Sequence, residues 1–196
     1  MRPITIAAIS LAAALRAGGA QEPAPYKVAI DLTPVVAQST GKYAATDLGA
    51  ALGIGGTVAY RVQQHLYLYG GWQWVRFSPD LTFAGIDRDF VETGYSAGAR
   101  FEHPFKAGSC PAYRLEAGAT YKHVEIDNSS GDNIADSGHK LGYELGAGAV
   151  IVPGDKWKVV PMIRYRTLSP EFRIGTVTTK GDVRYVAFEL GLSRRF

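Results

Sequence analysis

From Lys27 to Phe196 apolar and polar residues alternate with a period of two, and clusters of Gly, Asn, Asp, Ser and Pro interrupt the pattern. No stretch repeats with a helical period. The alternation predicts an all-β chain with strands near residues 27–37, 48–61, 66–77, 89–102, 111–124, 139–152, 157–168 and 182–196. The connections between them alternate in length. Long polar ones span residues 38–47, 78–88, 126–138 and 169–181, and short ones span residues 62–65, 103–110 and 153–156. A barrel with two unlike ends requires this asymmetry, with short periplasmic turns and long external loops. The expected architecture is an eight-stranded antiparallel up-and-down transmembrane β-barrel.

The two faces of each strand differ in composition. One face carries Val28, Ile30, Leu32, Leu48, Leu52, Ile54, Val58, Leu66, Leu68, Leu115, Leu145, Ile151, Val159, Ile163, Val186, Phe188, Leu190 and Leu192. The other is small or charged, with Gly49, Gly53, Gly55, Gly94, Gly98, Gly118, Lys140, Gly146 and Gly148 among Asp31, Arg61, Arg100, Arg114, Glu116, Glu144, Arg164, Arg166 and Glu189. A soluble barrel would turn that second face to water. Repeated glycine on an exposed face weakens a strand without gain, whereas inside a narrow barrel it makes room for long neighbours. The charged face is therefore expected to line the lumen, and its charged residues other than Lys140, nine in all, to form a network that closes it. Glu144, Arg164 and Glu189 are expected at one height. Aromatics sort into two girdles, Tyr60, Phe101, Tyr113, Trp157 and Phe196 towards the periplasmic rim and Trp74, Tyr121, Tyr143 and Tyr165 towards the outer rim.

Composition narrows the class. Hydrophobic residues make up 46% of the 196, and outside the extreme N-terminus no apolar run approaches the roughly twenty residues of a membrane helix. Arg2, an apolar stretch over residues 4–15 and the small residues Gly18 and Ala20 follow the pattern of a secretory signal peptide, so residues 1–20 are expected to be cleaved and residues 21–196 to form one barrel domain. Removal of Arg2 and Arg16 would lower the formal net charge from +3 to +1, which gives nucleic acid nothing to bind. Cys110 is the only cysteine, so no intramolecular disulfide forms.

The leader pattern, the eight alternating strands and the terminal Phe188, Leu190, Leu192 and Phe196 together resemble the small outer-membrane β-barrel family, of which the OmpA membrane domain and OmpX are familiar members. The resemblance implies residence in the outer membrane, contact with its lipid and lipopolysaccharide, and recognition of the last strand by the barrel-assembly machinery. Arg194 departs from that terminal pattern, and Pro34 and Pro161 fall inside strands, where proline removes a ladder donor. Pro34 is expected at the outer rim and Pro161 at a bulge or a strand boundary.

Candidate chemistry is sparse. Residues 94–98 match G-x-S-x-G, but that motif needs a strand turning sharply into a helix, and here Gly94, Ser96 and Gly98 alternate on a strand. His65, His103, His123 and His139 show no metal-ligand spacing, so neither a metal nor any other cofactor is expected. His123 and His139, with Glu125 and Ser129, loosely resemble lipid A deacylase sites but lack their spacing. Asp127, Asn128, Asp132, Asn133 and Asp136 make an oxygen-rich loop without the terminal glutamate of a calcium-binding hand. The expected function is a non-enzymatic barrel in envelope integrity or surface contact, with a surface ligand bound by the long loops. A narrow porin-like channel and a lipid A-modifying enzyme are the alternatives.

Overall fold

A computed structural model describes residues 26–79, 81–82, 84–105, 111–151, 156–174 and 176–196. The proposed leader, Cys110 and most of the turns at residues 103–110 and 153–156 lie outside them. Eight long strands run in chain order: β1 Val28–Ser39, β2 Ala50–Arg61, β3 Leu66–Phe77, β4 Asp89–Pro104, β5 Ala112–Asp127, β6 Lys140–Val150, β7 Trp157–Leu168 and β8 Val183–Arg195. Each pairs antiparallel with its sequence neighbours, and β1 pairs with β8 from Ala29↔Arg195 to Ser39↔Tyr185, so the sheet closes on itself without an edge. The last residue is part of the seam, because Phe196 N donates to Val28 O at 2.8 Å and Val28 N donates to Phe196 O at 3.1 Å. The start of β1, the end of β8 and the strand ends that the short connections join share one end of the barrel, the turn end. The long connections share the loop end.

The outer wall is apolar. Leu52, Leu141 and Phe188 are 67%, 75% and 61% exposed, within a belt that includes Ile30, Leu32, Val58, Leu115, Leu145, Ile163, Leu190 and Leu192. A surface of that kind is stable only against lipid or detergent. Arg194 stands on the same outer face and lies over the rings of Trp157 and Phe196, with its guanidinium carbon 5.5 and 4.9 Å from the ring centres. Its aliphatic stem and stacked head fit an otherwise apolar terminal strand.

Several sequence expectations change. Pro161 marks no bulge: it sits opposite Leu190 in an unbroken register with β8. Towards β6 the pairing runs to Gly148↔Met162, skips Pro161 and resumes at Ile151↔Val159 in the same register. Pro34 lies in mid-strand opposite Ile54 rather than at the rim, and the pairing of β1 with β8 lapses only between Leu32↔Leu192 and Val35↔Glu189. Each proline thus costs a ladder bond and leaves the register intact. Leu48 is not on the lipid face but 1% exposed inside the loop end, and Gly49 has φ +66° in the bend before β2 rather than a place in the lumen.

The long connections also carry structure that the sequence concealed. Lys42–Tyr43 pairs with Thr46–Asp47, Leu81–Thr82 with Gly85–Ile86, Glu171–Ile174 with Val177–Lys180, and Asn133–Asp136 turns back along β5. In the first hairpin both central residues, Ala44 and Ala45, have positive φ of 47° and 68°. Such a turn favours Asn-Gly. Tertiary packing holds it instead. Tyr43 is fully buried between Phe90 and Phe172, with ring centres 6.3 and 5.8 Å away, and its hydroxyl lies 3.1 Å from Thr179 O and 3.2 Å from Pro170 O. Burial, then the nearby Glu171 carboxylate, pushes the Tyr43 hydroxyl up to about 12.

Candidate functional site: the barrel interior

Period-two alternation turns every second residue of the eight strands inward, and the interior so formed has two layers. From the turn end to mid-barrel it is charged. Asp31, Glu92, Glu102, Glu116, Glu144 and Glu189 face Arg100, Arg114, Lys122, Lys158, Arg164 and Arg166, all buried, so six negative charges meet six positive ones.

The charges form a connected chain. Lys158 pairs with Glu102, which holds Arg114 at 2.6 Å. Arg114 and Arg100 share Asp31 at 3.1 and 2.6 Å, and Arg100 reaches Glu116 at 2.7 Å. Arg164 then joins three strands at once, with Glu116 at 2.7 Å, Glu144 at 3.2 Å and Glu189 at 3.1 Å. Arg166 closes the set on Glu144 at 2.9 Å and Glu189 at 2.7 Å. Neutral groups take up remaining capacity: Tyr69 Oη donates to Glu144 at 2.7 Å and Thr57 Oγ1 to Asp31 at 3.1 Å. Above this lattice Lys122 Nζ donates to Glu92 and Gln73, both at 2.7 Å, and Tyr185 Oη donates to Glu92 at 2.6 Å. Glycine makes the lattice fit. A Cβ on Gly118 would stand 2.4 Å from Tyr69 Oη, the hydroxyl that serves Glu144.

Eight of the nine residues expected in the network lie in this linked set. Arg61 is partly buried at the turn end of β2. Sequence reading missed Glu92, Glu102, Lys122 and Lys158, although each has the same odd-even phase as the charged residues already assigned on its strand. Extending that phase along each strand finds all four.

The loop-end layer overturns the expectation of a lumen that is small or charged throughout. Val35, Ala51, Val75, Phe77, Phe90, Val124, Ile126, Leu168, Val183 and Tyr185 point inward and pack as one cluster, to which the loops add Tyr43, Leu48, Ala135 and Phe172. Phe77 meets Tyr185 edge-on at 5.4 Å, and Phe90 meets Phe172 at 6.1 Å. Within the charged layer remains a cavity of about 30 Å³, bounded by Asp31, Arg100, Arg114, Glu144, Arg164 and Glu189 among others. That is room for a water molecule or two.

The remaining candidates lie elsewhere. Gly94, Ser96 and Gly98 are inside strand β4 on its lumen side, with no turn into a helix. Ser129 is exposed in a loop turn, while His123 Nδ1 is directed at Asp136 and its ring stacks on His139 at 4.5 Å. The oxygen-rich loop is divided: Asn128 spends its side chain on Ser130 N, Asp132 N and the Asp132 carboxylate, closing its own turn. Phe188, Leu190, Leu192 and Phe196 all stand on the outer wall, about half exposed.

Comparison with solved structures gives the same architecture. Neisserial surface protein A superposes with a TM-score of 0.60 at 17% identity, covering 86% of this chain and 97% of its own. Outer membrane protein W of E. coli gives 0.60 at 13% identity, covering 90% and 100%. Ail, the attachment invasion locus protein of Yersinia pestis, solved with a heparin analogue, gives 0.53 at 18% identity, covering 87% and 99%. No curated protein sequence matches the chain. The family model of the outer membrane protein beta-barrel domain matches residues 4–196, nearly the whole sequence. With a closed eight-stranded barrel and an apolar outer belt behind that match, the chain belongs to the outer membrane protein β-barrel domain family.

Proposed function

We propose that this protein is a non-enzymatic, closed barrel of the bacterial outer membrane that anchors and displays the connections at its loop end for surface contact. The observation that carries the reading is the filling of the lumen by ten linked buried charges with the Lys122–Glu92 pair above them, and by an apolar layer at the loop end. An interior filled in these two ways supports a barrel without a through path for solvent, with the loop end as its working surface. The loop end suits that use: four paired segments rise from it, two of them fixed by Tyr43 and Phe172 packing into the top of the lumen. With the termini on the periplasmic side, this end faces the environment. Attachment, the activity in the name of Ail, is one form such contact takes.

The test is electrical. Protein refolded in detergent and added to a planar bilayer is expected to give no sustained conductance. Steady, stepwise current would reverse the reading in favour of a narrow channel. Accumulation of a deacylated or otherwise altered lipid A in overexpressing cells would reverse it in favour of an enzyme.

A further inference from the structure

We propose that His123, Glu125 and Asp136 form a binding site for a divalent transition-metal ion of the zinc class on the outer wall of the barrel, at its loop end. No metal-ligand spacing is visible in the sequence, because the ligands come from two segments brought together by strand pairing. Alternation along β5 puts His123 and Glu125 on the same outward face, one residue apart. The short strand Asn133–Asp136 doubles back beside β5 with Asp136 in register with Glu125, which delivers a second carboxylate to the same spot.

The geometry is that of a ligand set. One donor atom from each of the three residues lies within 4.8 Å of the other two. His123 Nδ1 is 3.1 Å from Asp136 Oδ2 and 3.9 Å from Glu125 Oε1. Ligand atoms at about 2.0–2.2 Å from a zinc ion stand roughly 3–3.5 Å apart, so small side-chain adjustments bring all three onto one ion. One imidazole and two carboxylates offset the charge of a divalent ion, and a mixed nitrogen and oxygen set suits zinc and its neighbours better than calcium. Three protein ligands leave the fourth position to water.

The surroundings orient these ligands. Gly138 N donates to Asp136 Oδ1 at 2.7 Å and leaves Oδ2 turned towards the histidine. Ser137 fixes the corner, accepting from Val124 N at 2.9 Å through its hydroxyl and donating its own N–H to Val124 O at 3.0 Å. His123 lies in a column of rings, stacked on His139 at 4.5 Å and 11°, which stacks on Tyr121 at 4.8 Å and 26°. A hydrogen-bonded carboxylate and an imidazole held in plane are the outer-shell support that metal ligands require. A simple His–Asp pair would need neither Glu125 nor the stacked rings. Bound metal would tie the returning strand to the barrel wall and so brace the loop between Asp127 and Asn133.

The experiment uses the full barrel refolded in detergent micelles without an affinity tag, and measures uptake of zinc chloride by equilibrium dialysis, with calcium chloride in parallel. One zinc per chain is expected, with affinity about tenfold or more weaker in His123→Ala and in Asp136→Asn. Heat-modifiable migration shows that these outward-facing variants fold. Zinc is also expected to slow proteolysis within residues 127–133 of the parent but not of the variants. The proposal is overturned if the parent takes up no zinc saturably, if the double variant His123→Ala/Asp136→Asn binds it as tightly as the parent, or if calcium binds and zinc does not.

Discussion

The two layers of the barrel interior reach the same end by opposite means. In the layer from the turn end to mid-barrel, six acids and six bases cancel; in the loop-end layer Val75, Phe77, Phe90, Val124, Ile126 and Tyr185 pack without a formal charge. The lattice is directional, since each of its carboxylates is shared between at least two particular cations, and loss of one cation leaves the buried set with a net negative charge. The apolar layer is not directional. Its losses grow with the volume removed, and its neighbours can relax into the gap. The interior thus has one layer expected to fail abruptly when a partner is lost and one expected to fail gradually.

The largest effect expected is that of Arg164→Ala, which strips partners from Glu116, Glu144 and Glu189 together. Its cost is about 3–5 kcal/mol, read from urea unfolding in micelles. The variant is also expected to show intermittent ion leakage. Unchanged stability would mean that solvent already reaches these charges and that the lattice is no seal.

Phe90→Ala tests the other layer. Removing a fully buried ring costs about 3 kcal/mol in the same assay, yet ion conductance is expected to stay at the parent's level because the lattice below remains intact. Leakage in this variant would show that the apolar layer is the principal barrier.

A third comparison uses alkali. The Tyr43 hydroxyl titrates at about 12 in the folded protein, above its ordinary 10, so folding favours the protonated form. The stability this brings is complete below pH 10 and lost as the pH rises towards 12, up to about 2 kcal/mol. Tyr43→Phe is expected to lack that part of the alkaline loss. An identical pH profile for parent and variant would show that the cap does not depend on the hydroxyl.

The smallest effect is a gain. Replacing Ala44-Ala45 by Asn-Gly relieves positive φ at both positions and is expected to stabilise the first hairpin by about 1 kcal/mol, with slower proteolysis at residues 40–48. Faster cleavage would mean that the alanines make contacts of their own.

The sequence by itself determined the barrel. Eight strands, their order and most of their limits follow from alternation, because each face of a lipid-exposed strand meets a single environment and every second residue reports it. Asp31, Arg100, Arg114, Glu116, Glu144, Arg164, Arg166 and Glu189 were legible as one inward set for the same reason. Only the tertiary structure decided which carboxylate each guanidinium holds, since tilt and stagger set the height at which strands distant in sequence meet. It also decided the apolar layer. Near the loop end Phe77, Phe90 and Ile126 look no different in sequence from lipid-facing residues, and hydrophobicity alone carries no direction. The Ala44-Ala45 turn and the meeting of His123 with Asp136 were invisible for a related reason. Their conformations are imposed by packing and pairing between segments, so no local residue pattern had to encode them.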